Sequence, residues 1–152
     1  LSKEEVLAVL AHELGHMKKK HIVKRMILLA AVTLCCCWLA YVLIGWAGLP
    51  DLVGLTEASF HARAVILFFL SGILVFPFTP LFNALSRKQE YEADRFACDL
   101  HGDPGDLASA LVKMSKENLS NLHPHPVYAR FYYSHPPVVE RVERLKAKTD
   151  QP

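Results

Sequence analysis

His12 and His16 stand four residues apart, and Glu13 follows the first of them, in the pattern His12-Glu13-Leu14-Gly15-His16. On an α-helix that interval places both imidazoles on one face, where they can converge on a single ion. Glu13 lies beside them and can reach a water on that ion without binding the ion itself. Zn2+ suits this donor set, and metal-assisted peptide hydrolysis is the chemistry it serves. The same short pattern arises by chance, and the two histidines are then ordinary polar side chains on an exposed helix face. A catalytic zinc site also requires a third protein ligand and one open position. In Glu90-Tyr91-Glu92-Ala93-Asp94, Glu90 and Asp94 are four apart on one helical face. Glu90 is expected to bind zinc, and Asp94 to hold a ligating imidazole by its far nitrogen. Glu92 points elsewhere and is expected in solvent. His21 is the competing third ligand.

The elements that must bring these residues together are unevenly charged. The chain has 152 residues, 52% hydrophobic and 21% charged, yet residues 26–49 and 64–82 carry no charge at all. A hydrocarbon core needs about 20 helical residues, so the two runs read as a transmembrane helical hairpin with a connector near residues 50–61. Pro77 and Pro80 are expected to kink or end the second helix. The alternative is a pair of buried soluble helices, for which the chain offers few other walls. Lys18, Lys19, Lys20, Lys24 and Arg25 precede the first run, and Arg87 and Lys88 follow the second. The connector holds Asp51 and Glu57 with no Lys or Arg, so both polar ends are expected on the cytoplasmic side. At a membrane boundary the basic run reads as a contact with anionic membrane lipid, and no nucleic-acid partner is expected. Residues 1–16 lack the apolar stretch of a signal peptide. Cys35, Cys36 and Cys37 point in different directions on one helix and read as small apolar surface.

The organisation expected is therefore all-α. Residues 1–25 form the zinc-motif helix, started by a Ser2–Glu5 capping box and able to continue into the membrane segment. Residues 26–83 form the hairpin, and residues 84–148 a helical lobe carrying the third ligand. Within that lobe, Gly102-Asp103-Pro104-Gly105 is a turn and Asp106 caps a helix over residues 107–119. A short helix covers Val127–Tyr132, and a last one follows Pro136 and Pro137.

Three segments resemble the zinc-type CAAX prenyl protease family of membrane-embedded endopeptidases. They are Glu5-Val6-Leu7-Ala8-Val9-Leu10-Ala11 running into the zinc motif, Ser86-Arg87-Lys88-Gln89-Glu90-Tyr91-Glu92-Ala93-Asp94, and Tyr133-Ser134-His135-Pro136-Pro137 running into Glu140-Arg141. The bacterial heat-shock membrane proteases are a more distant likeness. The resemblance implies an integral membrane zinc metalloendopeptidase. His12, His16 and Glu90 would be its metal ligands, Glu13 the catalytic base, Asp94 the support behind the ligands, and His135 and Arg141 the catalytic groups that bind or polarise the substrate backbone. From the residues alone, His135 is also readable as a polar cap ahead of two prolines, and Arg141 as a salt-bridge partner on the final helix.

The implied substrate is a protein or peptide with an isoprenylated cysteine near its C-terminus, cut to release the last three residues. The alternatives are quality-control cleavage of misfolded membrane proteins and a non-catalytic membrane binding or structural subunit. Family members carry further membrane helices upstream, which are expected partners of this segment. The implied location is the endoplasmic reticulum membrane in a eukaryote and the inner membrane in a bacterium, with the active site facing the cytoplasm.

Overall fold

The structure, a computed structural model, describes residues 1–149. Among them all regular structure is helical: α1 (Lys3–Lys18), α2 (His21–Gly45), α3 (Phe60–Val75), α4 (Thr79–His101), α5 (Pro104–Glu117), α6 (Pro126–Tyr132) and α7 (Val138–Thr149). The chain divides into two compact units. One combines residues 1–22 with residues 79–149, and the other is residues 23–78.

In the first unit, α1 starts on the expected capping box. Ser2 Oγ accepts from the Glu5 amide at 3.2 Å, and Glu5 Oε2 accepts from the Ser2 amide at 2.7 Å. The first turn thereby satisfies donors that a helix start leaves open. The other Glu5 oxygen reaches α5, where Ser109 Oγ and Lys113 Nζ each donate to it at 2.6 Å. The buried face of α1 is Glu5, Ala8, Ala11, His12 and Gly15, while Leu7, Leu10, Leu14 and Met17 are exposed. Small side chains on that face let α1 lie close against α4, which answers with Ala93 and Ala97. A core of Ala8, Ala11, Ala97, Cys98, Leu107, Ala108, Leu111 and Leu145 joins α1, α4, α5 and α7.

Two boundaries differ from the sequence expectation. The zinc-motif helix does not run on: α1 ends at Lys18, Lys20 takes a left-handed φ of 55°, and α2 begins at His21. The cap of α5 is Asp103, whose carboxylate accepts from the Gly105 amide at 2.7 Å, with Pro104 opening the helix. Asp106 instead faces His101 Nε2 at 2.8 Å. Proline explains the shift, because its fixed φ suits the first helical position and moves the start upstream.

In the second unit, α2 and α3 are joined by a connector containing a 3-10 turn over Pro50–Val53. The turn is closed by Gly54 at φ 76°, a conformation that costs an L side chain energy and glycine little. Arg63, just past the stretch read as lacking cations, donates to the carbonyls of Ile44, Trp46 and Ala58 at 3.0–3.1 Å. One of these, the Ile44 carbonyl, is an acceptor that the end of α2 leaves open. Ile27, Leu29, Leu34, Trp38, Phe68, Phe69 and Ile73 are all more than 60% exposed. Contiguous apolar exposure on that scale marks a surface meant for something other than water. α2 and the helical run Phe60–His101 are long and apolar enough to cross a membrane. Pro77 falls where expected, with α3 ending at Val75 and a 3-10 turn over Phe76–Phe78.

Candidate metal centre

The centre lies wholly in the first unit, where α1 crosses α4. Gly15 marks the closest approach: a methyl group there would sit 3.1 Å from Ala93 Cα and 3.2 Å from Ala93 O. Both are backbone atoms that cannot step aside, so a side chain at 15 would push the helices apart. On α1 the neighbours of that contact are His12 and His16, and on α4 they are Glu90 and Asp94.

Three ligand side chains face one another. His12 Nε2 is 3.2 Å from His16 Nε2, His12 Nε2 is 3.7 Å from Glu90 Oε2, and His16 Nε2 is 3.5 Å from Glu90 Oε1. Zinc bonds of about 2.0–2.1 Å in tetrahedral geometry place ligand atoms about 3.3 Å apart, so this trio fits the ion closely. It is the group of metal-capable side chains found together among the described residues. Two nitrogens and one carboxylate form a donor set that leaves a fourth position open, the pattern of a catalytic rather than a structural zinc site.

The surrounding charges keep the ligands in their binding forms. Burial of Glu90 opposes its ionisation, but His135 and Arg141 outweigh it and hold the carboxyl below the usual range. Asp94 follows the same logic, with burial countered by His12 and Arg141. Burial, reinforced by His12, lowers the pKa of His16 and favours a bare nitrogen. Asp94 Oδ1 lies 2.9 Å from His12 Nδ1, with the ring N–H not aimed squarely along that line.

Glu13 is exposed and lines a cleft of about 370 Å³ with His12, His16, Glu90, His135 and Arg141. Val9, Ile22, Leu107, Leu111 and Met114 supply its apolar wall. Clefts of about 460 Å³ lie beside Arg87 and beside Cys98; of the candidate site residues, Asp94 and Arg141 line the second and none lines the first. His135, 68% exposed at its side chain, places Nδ1 3.1 Å from Glu90 Oε2. Its loop hangs from α4 by two backbone carbonyls: Asn83 donates to Phe131 O and Arg87 to Tyr133 O.

Arg141 is buried, and its guanidinium grips Asp94 through two bonds of 2.9 and 2.6 Å. Its remaining nitrogen comes within 3.4 Å of Glu90 Oε2. Spacing did not reveal this bridge, since its two halves are 47 residues apart. Glu92, expected in solvent, is partly exposed but also partnered: its Oε2 lies 3.2 Å from Nε2 of His21, which is 2% exposed. His21 stands outside the metal trio, with Nδ1 3.1 Å from His16 Nδ1.

Comparison with known proteins places this geometry. Residues 1–149 match peptidase family M48. A CAAX prenyl protease 1 homolog of Mus musculus is 41% identical over 97% of this chain and 31% of its own length. A homolog of the same name from Arabidopsis thaliana is 36% identical over 98% of the chain and 36% of its own length. The crystal structure of S. mikatae Ste24p superposes with a TM-score of 0.77 at 31% identity, over 95% of this chain and 36% of that one. The chain thus spans about a third of the length of the relatives it matches.

Proposed function

This chain belongs to peptidase family M48, and on that premise we propose that it carries the zinc centre of a membrane metalloendopeptidase acting near the C-terminus of isoprenylated proteins. One observation carries the reading: His12, His16 and Glu90 converge at tetrahedral spacing beside a cleft into which Glu13 is free to reach. The substrate class rests on relatives described as CAAX prenyl proteases.

Zinc held by the trio would polarise the peptide carbonyl and acidify water. Glu13 takes the proton from the attacking water as the new C–O bond forms and the carbonyl electrons move onto oxygen; it passes the proton to the amine as the carbonyl re-forms and the C–N bond breaks. His135 faces the same cleft and is placed to donate to the carbonyl oxygen as it gains charge. Arg141 holds Asp94 and Glu90 in their ionised forms and stands at the cleft wall to meet a substrate carbonyl or carboxylate.

The uncharged faces of α2 and α3 support a transmembrane hairpin, and the lysines before α2 support a cytoplasmic active-site side. The exposed row Leu7, Leu10, Leu14 and Met17 on α1 supports cover by lipid or by membrane helices outside this segment. The first test uses the full-length protein. Glu13→Gln is expected to bind zinc normally and to lose turnover by at least about 100-fold, the scale of a missing acid–base catalyst. Retained turnover would remove Glu13 as the base. Comparing prenylated and unprenylated forms of one peptide tests the substrate, and equal cleavage would favour quality-control proteolysis.

A further inference from the structure

We propose that His21 and Glu92 are positioning residues that fix the tautomer of His16, so that the nitrogen facing the metal stays bare. The inference rests on the zinc reading above and concerns how one ligand is prepared for it.

A neutral imidazole has one donor and one acceptor nitrogen. His16 Nε2 faces His12 Nε2 and Glu90 at 3.2 and 3.5 Å, so it is the nitrogen that must offer a lone pair. The proton of His16 then sits on Nδ1, which faces His21 Nδ1 at 3.1 Å. His21 Nδ1 can accept only if its own ring proton is on Nε2. That nitrogen faces Glu92 Oε2 at 3.2 Å, and a carboxylate is purely an acceptor. One assignment satisfies every contact: His16 Nδ1–H donates to His21, and His21 Nε2–H donates to Glu92. With the His21 proton on Nδ1, two N–H groups would oppose each other at 3.1 Å and a lone pair would face the carboxylate.

The break between the first two helices makes this possible. A continuous helix would carry residue 21 away from residue 16, five positions earlier. The turn at Lys19 and Lys20 swings His21 back, with its ring edge-on to His16 at a centroid distance of 5.0 Å. His21 is among the most deeply buried large side chains of the described residues. The two ligands are thus held in matching ways from α4. Asp94 addresses His12 directly, and Glu92 addresses His16 through His21. Glu92 and Asp94 flank Ala93, the residue against which Gly15 packs.

The test measures zinc affinity of the full-length protein by chelator competition, together with the absorption spectrum of its cobalt-substituted form. His21→Phe and Glu92→Leu are expected to weaken zinc binding about 10–100-fold, as loss of a ligand's supporting partner does, and to shift the cobalt bands. Glu92→Gln still offers an oxygen to His21 Nε2–H and is expected within about threefold of wild type. Lys88→Ala, which removes the other neighbour of Glu92 at 4.0 Å, is expected to change nothing. The double variant should be no worse than His21→Phe alone, because both lie on one path.

If His21→Phe fails to fold, Glu92→Leu against Glu92→Gln decides, since Glu92 is partly exposed. Wild-type affinity in Glu92→Leu, or equal losses in Glu92→Leu and Glu92→Gln, overturns the proposal. Glu90→Ala is the separate control: if it leaves zinc affinity unchanged, the zinc reading itself has failed rather than the relay.

Discussion

The unit holding the zinc centre and the unit of residues 23–78 bury opposite kinds of group. In the first, Glu5, His12, His21, Glu90, Asp94 and Arg141 are all less than 9% exposed, each with a partner within hydrogen-bonding or ion-pairing distance. In the second, Leu49 and Pro50 are the buried side chains among the described residues, and the apolar side chains of α2 and α3 face outward. One unit is ordered by polar groups that satisfy each other inside a small-residue core. The other is ordered by helix hydrogen bonds and a connector, and its side chains await an apolar solvent. Each unit depends on one arginine. Arg141 neutralises carboxylates, and Arg63 satisfies carbonyls.

That pair offers the largest test. Arg141→Met leaves Asp94 buried without its cation, a change expected to destabilise by about 3–5 kcal/mol and to weaken zinc binding. Arg63→Met removes bonds to three backbone acceptors and is expected to cost about 1–3 kcal/mol with zinc affinity unchanged. Denaturation in detergent and chelator competition read the two effects. A loss of zinc affinity in Arg63→Met would break the separation between the units.

Glycines sharpen the same contrast at lower energy. Gly15→Ala drives a methyl group into the backbone of Ala93 and is expected to destabilise by about 1–3 kcal/mol, separating the ligands as it does so. Gly72→Ala has nothing within 4 Å to meet and replaces a poor helix former, so a gain of about 0.5–1 kcal/mol is expected. Equal effects at the two sites, measured by thermal unfolding, would contradict the close approach of α1 and α4.

Local chemistry accounts for which features were legible in the sequence. The His12–His16 pair, the capping box, the proline break after Val75 and the uncharged runs are set by short intervals or by single residues with strong preferences. The orientation of α1 was not legible. It leaves Leu7, Leu10 and Leu14 exposed and buries alanines and a glycine, because the metal ligands require α4 at close range. Asp106 was read as the cap of α5, but Pro104 takes the first helical position and leaves the cap to Asp103. The Arg141–Asp94 bridge and the His16–His21–Glu92 chain join residues far apart in sequence, and no interval encodes them. His21 did carry a signal, a histidine after the motif, but its use depends on a turn at Lys20 that lysine does not favour.

The smallest effect expected is a pH dependence belonging to the first unit. Glu5 accepts from Lys113, Ser109 and the Ser2 amide, and these bonds bring its pKa down from 4.5 to about 2. A carboxyl whose folded pKa is depressed stabilises the fold above its unfolded pKa and loses that contribution as protons bind the folded form. The Glu5 contribution is therefore complete above about pH 4.5 and fades as pH falls toward 2. Other carboxyls titrate in the same range, so the informative quantity is the stability difference between wild type and Glu5→Gln. That difference is expected to be constant above about pH 5 and to shrink on acidification, because the substituted amide keeps one acceptor oxygen but never gains or loses charge. A Glu5→Gln difference that did not change between about pH 5 and about pH 2 would mean that the lysine and serine contacts to Glu5 contribute nothing through its charge, leaving the α1–α5 contact to apolar packing alone.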